Sequence, residues 1–396
     1  MRSGPLTDLK IIEFAGIGPS PFCGMLLSDL GADVLRIDRP GAAEESATQI
    51  TRRGRRSITL DLKRSIDLNV CLELIRNADG LIEGFRPGVM ERLGLGPDRA
   101  LELNPRLVFG RVTGWGQSGP YAQAAGHDIN YIALSGALHA IGTREQPIPP
   151  LNLLGDFGGG ALYLAFGLLA GIHHSRVTGR GQVVDCAMSD GVSSLMAMIY
   201  GLRAAGAWST ERCSNQLDGA APHYGVYKCR DGRWISLGAV EPQFYAELLD
   251  RICADDPAFE RRLDRDEWEP LRAKFAELFL KRTRDEWCEL LEGSDACFAP
   301  VLDLEEAPLH PHNVARSAFV EVAGVVQPAP APRFSLTPGV IQHAAGSPTA
   351  VDAGVLAEWG VSASEIEVFH NYRADRVRGQ ADKQSPPDRI ETNSAR

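Results

Sequence analysis

A histidine and an aspartate stand side by side at His127-Asp128, inside AGHDINYIALSG (125–136), which otherwise reads as an apolar helix. Further along, Asp156 precedes a glycine run that opens the apolar stretch LLGDFGGGALYLAFGLLAG (153–171). Histidine is the side chain best matched to proton transfer near neutral pH. An aspartate before a helix is a favoured N-cap, since its oxygen accepts otherwise unbonded N–H groups. The same placement sets a carboxylate where helix N–H groups and the macrodipole could steady an oxyanion. Each residue therefore has a structural and a chemical reading. So does TRRGRRSITLDLK (51–63), with five basic residues, near Arg86 and Arg92 of GFRPGVMERLG. It is either a solvated face or a site for a polyphosphorylated small ligand gripped by guanidinium forks. Taken together, these residues suggest an acid/base pair beside an anionic ligand site.

The elements that must hold such a site begin with a βαβ unit. Residues 10–15 (KIIEFA) read as a buried strand, 21–30 as a helix ended by Gly31, and 33–37 (DVLRI) as a second strand. Strand, helix and strand in so short a span imply a parallel sheet with right-handed crossovers. The alternation continues with strands at 57–60, 80–83, 107–112 and 182–185 and helices at 67–77 and 158–174. From His223 the texture changes. HYGVYKCRDGRWISLGAV is two alternating β runs joined at Asp231-Gly232, a hairpin signal because that dipeptide tolerates positive φ. Amphipathic helices at 244–252 and 271–291 follow, which places a smaller α+β domain at 223–303. Residues 373–396 are polar, lack apolar periodicity and read as a disordered tail.

Composition narrows the classes. The chain has 396 residues, 44% apolar and 23% charged, with a net charge of −10. That fits a globular protein with a sizeable core, and argues against nucleic-acid or anionic-membrane partners. Eight scattered cysteines without a C-x-x-C pair read as reduced thiols of the cytoplasm. The N-terminus lacks the apolar run of a signal peptide, and no stretch is read as reaching the ~18–20 apolar residues that span a bilayer. GIGPSP (16–21) with Asp38 begins like a dinucleotide fingerprint, but proline replaces the third glycine and Arg39 follows the acid. NAD is not supported. His173-His174 and His310/His312 lack companions at metal-ligand spacing, so no metal site is expected. A nucleophile elbow G-x-S-x-G is absent. Met188, Met196 and Met198 lie on one apolar stretch and could either pack a core or line a varied acyl chain.

ADVLRIDRPG, EGFRPGVMERLGLGP, GRVTGWGQSGP, AGHDINYIALSG, LNLLGDFGGGALYLAFG, GRGQVVDCAM and GAVEPQFYAELL, spread over residues 5–335, together resemble the family III CoA-transferase superfamily. Within it they look most like its acyl-CoA racemase branch, whose members carry both GHDINY and GDFGGG. The resemblance implies an α/β fold with a Rossmann-like large domain built from both ends of the chain, 1–200 and 304–372. A linker (201–222) would lead to the small domain at 223–303. Two subunits would interlock as a homodimer with active sites between them. Arg39, Leu60, Asp61, Leu62, Lys63, Gly84, Phe85, Arg86 and Arg92 would hold CoA, with Gly126, Asp128, Ile129, Asn130 and Tyr131 around the thioester. His127 and Asp156 would be the two bases that invert the centre next to a 2-methylacyl thioester through an enolate. One would remove the α-proton and the other return it on the opposite face. Backbone N–H groups near Asp128 or in the glycine run would hold the enolate oxygen. Glu241 would orient His127 from the other subunit. CoA is then part of the substrate, and no metal, flavin or pyridoxal phosphate is needed. A transferase using Asp156 as a covalent nucleophile and a non-catalytic acyl-CoA-binding protein are the alternatives.

Overall fold

A computed structural model describes residues 2–42, 46–346 and 353–384. The chain divides into two compact units. One comprises Met1–Val112, Leu164–Asp185 and Pro330–Arg396; the other comprises Thr113–Tyr163 and Cys186–Ala329.

The first unit is organised by β1 (Lys10–Phe14), β2 (Asp33–Asp38), β3 (Arg56–Thr59), β4 (Gly80–Glu83), β5 (Val108–Thr113) and β6 (Gln182–Ala187). They lie in the order β3-β2-β1-β4-β5-β6, the order of a doubly wound nucleotide-binding sheet. The pairings β1–β2, β1–β4, β2–β3 and β4–β5 are parallel. β1, β2, β4 and β5 are buried along almost their whole length, which is why they read as near-continuous apolar runs rather than alternating ones. Helices Pro19–Asp29 and Ser65–Arg76 form the first crossovers. One core gathers Ile12, Phe14, Leu35, Leu74, Phe109, Trp359 and Phe369, so the C-terminal segment closes the sheet that the N-terminus begins.

The expectation for the tail changes here. Helix Ala363–Gln384 runs across the start of the segment read as disordered. Its first turns are anchored by buried Ile366 and Phe369, and the Tyr372 hydroxyl accepts a hydrogen bond from Arg64. Residues 385–396, the rest of that segment, lie outside the described residues.

In the second unit, β7 (Tyr224–Lys228), β8 (Trp234–Gly238) and β9 (Phe298–Val301) form an antiparallel sheet, and Gly232 takes φ +81° in the turn between β7 and β8. Tyr227, Phe259, Phe275, Phe279 and Trp287 fill a core drawn entirely from this region. The single helix expected over 271–291 is two, Trp268–Phe279 and Arg284–Leu291. A capping box separates them. The Thr283 hydroxyl accepts from the Glu286 N–H at 3.2 Å, and the Glu286 carboxylate accepts from the Thr283 N–H at 2.7 Å. Across the break, the Trp287 indole N–H donates to the Phe279 carbonyl (2.9 Å) and both side chains enter the same core.

A second correction concerns the long apolar helix. It begins at Leu153 rather than Gly158 and runs 26 residues to Thr178, long and apolar enough by composition to cross a membrane. Its glycines kept the sequence from reading as one apolar run. Leu164 and Leu168 pack on Gly110, and Gly171 admits Val108, so its second half is committed to the sheet of the first unit.

Candidate active site

The first ten residues of that helix, Leu153–Leu162, are π-helical. Four glycines, at 155, 158, 159 and 160, argue against helix on propensity alone. Packing overrides the propensity. A Cβ on Gly159 would meet Val192 at 2.7 Å, and one on Gly191 would overlap the Gly159 carbonyl, so helix Met188–Leu195 crosses here at backbone contact. Asp156 is thus the fourth residue of the π-helix and not its N-cap, a position held by Asn152. The N-cap reading of Asp156 fails for that reason. π-Turns inside helices are frequent at functional sites. The glycine run also loses the oxyanion role considered for it, because it lies inside the helix beyond the first turn, where N–H groups have intrahelical acceptors.

His127 is the N-cap of helix Asp128–Leu134, with extended backbone (φ −132°, ψ 174°). The Asn130 side-chain oxygen accepts from its backbone N–H at 3.0 Å, which pins the cap and leaves the imidazole exposed. Behind it, the Tyr131 hydroxyl donates to the Gly126 carbonyl, and the Tyr131 ring meets Trp115 edge-on at 4.8 Å. Gly114 and Gly126 leave room for these rings. Ile129 is exposed, so the expected set Gly126–Tyr131 splits into a buried support and an open face.

Asp128 ties the two segments together. Its Oδ1 accepts from the Asp156 backbone N–H at 2.6 Å, and Gly155 is required where the carboxylate presses on the chain. Asp156 is half-buried, and Asn152 donates to its Oδ2 at 3.2 Å. Burial holds its carboxyl above the usual carboxylate range. The Asn152 hydrogen bond opposes this, the Asp128 charge adds to it, and nearby His127 favours the ionised form. The site therefore joins an exposed imidazole to a carboxyl inclined to keep its proton. Sequence reasoning found His127 and Asp156 but missed Asn152 and the Asp128 side chain; the i, i+4 spacing of Asn152 and Asp156 was the available signal. Glu241 is the exposed N-cap of helix Pro242–Arg251, and among the described residues it makes no hydrogen bond or ion pair with His127.

The expected CoA residues fall in the first unit, around a cleft of about 490 Å³. Arg39, Leu60, Asp61, Leu62, Lys63 and Phe85 line it, beyond the carboxyl ends of β1 to β4, where ligands of open α/β sheets bind. Gly18 at φ +64° makes the turn after β1. Gly84, Arg86 and Arg92 are not among the lining residues. Neither reading of the basic run holds throughout. Arg53 is buried against Asp29 (2.6 Å), Arg55 against Glu13 (2.8 Å), and Arg56 pairs with Asp33, so three of its five cations are internal struts. Arg52 and Lys63 remain at the cleft.

Residues 6–350 match the model of CoA-transferase family III. The chain is 43% identical over 372 residues to the alpha-methylacyl-CoA racemase of Mus musculus, covering 93% of this chain and 97% of that one. It is 42% identical over 339 residues to the Homo sapiens protein of the same name, covering 85% and 88%. Among solved structures, a CAIB/BAIF family protein from Brucella suis superposes with a TM-score of 0.77 at 25% identity, covering 90% of this chain and all of that one. On the family match and these identities, the chain belongs to CoA-transferase family III.

Proposed function

We propose that the protein is an isomerase that interconverts (R)- and (S)-2-methylacyl-CoA thioesters. The observation that carries this is the pairing of His127 with a partly buried Asp156 inclined to keep its proton, in a chain whose mouse and human relatives bear a racemase name. Inversion needs a base on one face and an acid on the other. In one direction neutral His127 takes the α-proton from carbon and protonated Asp156 delivers its own to the opposite face. In the reverse direction ionised Asp156 takes the proton and His127-H⁺ returns one. The two states hold the same number of protons, so each turnover leaves the pair ready for the other hand. A carboxyl that delivers a proton near neutral pH needs a raised pKa, and burial shifts Asp156 in that direction. The enolate oxygen would be held by the backbone N–H groups of Asp128 and Ile129, which precede Asn130, the first N–H bonded to the His127 carbonyl (2.8 Å).

The cleft beyond β1 to β4 supports a site for the CoA moiety, with Arg39, Arg52 and Lys63 toward its phosphates. The acyl-CoA is the substrate, and this chemistry requires no resident cofactor. A homodimer would let Glu241, an exposed N-cap, orient His127 of the other copy. The self-contained aromatic core supports a small domain at 223–303. The reducing, cytoplasmic setting rests on the unpatterned cysteines.

Incubating (R)-2-methylacyl-CoA with the protein in D₂O, following the α-proton by NMR and the product's configuration, tests the reading. Exchange with convergence of both hands supports it. CoA passing to an added carboxylic acid without α-exchange replaces it with a transferase that uses Asp156 as nucleophile. Thioester binding without either reaction leaves a binding protein.

A further inference from the structure

The carboxylate of Asp128 is the best buried acid of the site and has no ion-pair partner among the described residues. The residue is 8% exposed, its Oδ1 is committed to the Asp156 N–H, and its Oδ2 has no hydrogen-bond partner among the described residues. An acid left in that condition is costly unless it does something for its surroundings. We propose that the Asp128 side chain is a positioning residue for Asp156, fixing through the Asp156 N–H the turn from which that carboxyl is presented.

The geometry explains why a carboxylate is used. A π-helix bonds each N–H to the carbonyl five residues back, so the first-turn N–H of Asp156 has no acceptor within the helix. Asp128 supplies one from another segment, and a negative charge at a helix N-terminus is favourable there. Gly155 carries no Cβ because the carboxylate occupies that space, so the contact fixes chain position as well as hydrogen bonding. The same charge acts on the Asp156 side chain and favours its neutral form. The other groups facing Asp156 are Asn152, which donates to it, and His127. Asp190, on the crossing helix Met188–Leu195, accepts from the Ser189 hydroxyl at 3.4 Å.

The inference rests on the racemase reading for its consequence but can be tested without it. Asp128→Asn keeps an oxygen acceptor and removes the charge; Asp128→Ala removes both. In full-length protein labelled with ¹³Cγ-aspartate, the Asp156 resonance is assigned by its loss in Asp156→Asn. Its titration midpoint is expected at lower pH in Asp128→Asn than in the parent. The acid limb of kcat/KM for racemisation should move the same way, so that the share of the optimal rate surviving at pH 5 rises severalfold. In Asp128→Ala, kcat should fall by about tenfold or more while KM changes little, the mark of a misplaced group. A midpoint unmoved in Asp128→Asn, or a parental kcat in Asp128→Ala, overturns the proposal. A parent that shows no α-exchange, together with a midpoint that does move, overturns the racemase reading and leaves the positioning role standing.

Discussion

Gly191 lies against the Gly159 carbonyl so closely that a single added methyl group at 191 would overlap it. This contact lets the Met188–Leu195 helix press on the π-helical segment that carries Asp156. Gly191→Ala should therefore lower stability by about 2 kcal/mol, the scale of overpacking a tight contact. It should also reduce α-proton exchange by more than the stability loss explains, since the segment that shifts carries Asp156. Urea midpoints and exchange rates on the same preparation check both parts.

Removing either proton carrier should stop inversion without abolishing binding. His127→Ala and Asp156→Asn are each expected to lower kcat by about 100-fold or more, with KM changed only a few-fold. His127 is exposed, so its replacement should leave the thermal midpoint near that of the parent.

The basic run should separate into two behaviours. Lys63→Ala and Arg39→Ala, at the cleft, should raise KM for the CoA thioester and weaken its salt dependence, with little change in stability. Arg55→Ala should act the other way, costing about 3–5 kcal/mol because it leaves buried Glu13 without its cation. Denaturation curves set beside KM values at two ionic strengths distinguish the groups.

His223 predicts an acid-side weakness. It is 1% exposed, its ring meets Tyr245 at 6.0 Å, and neither ring nitrogen has a hydrogen-bond partner among the described residues. Burial, aided by the Arg262 charge, pushes its pKa from 6.5 down to about 4. Between those values the unfolded chain binds the proton and the folded one does not, so stability is full above pH 6.5 and falls as pH drops toward 4. The loss should reach about 3 kcal/mol. His223→Phe, which keeps a ring beside Tyr245, should flatten the pH dependence of the denaturation midpoint across that window.

The sheet was legible because its strands are short apolar runs between helical segments, and each one read from the sequence is present within one or two residues at either end. The reactive pair was legible as residue types in the wrong local setting. Asp156 reads as an N-cap because glycine disfavours helix, and only the crossing at Gly159 and Gly191 reverses that preference. The break at Thr283 was hidden for a related reason, since apolar periodicity runs straight through a capping box. Arg53 and Arg55 looked like surface cations because a sequence does not reveal that Asp29 and Glu13 lie opposite them. In each case the missing knowledge was a contact between distant residues.

The π-helical stretch makes chain length itself a determinant of the site. Each residue added to or removed from an α-helix turns everything beyond it by about 100°. The π-helical stretch Leu153–Leu162 carries Asp156 and runs directly into the part of the helix that seats Leu164 and Leu168 on Gly110, so the number of residues between them sets the register of both. Shortening Gly158–Gly160 by one residue would let the segment rewind as ordinary helix, with every side chain retained and the carboxyl facing elsewhere. The glycine run is a spacer whose count matters as much as its composition.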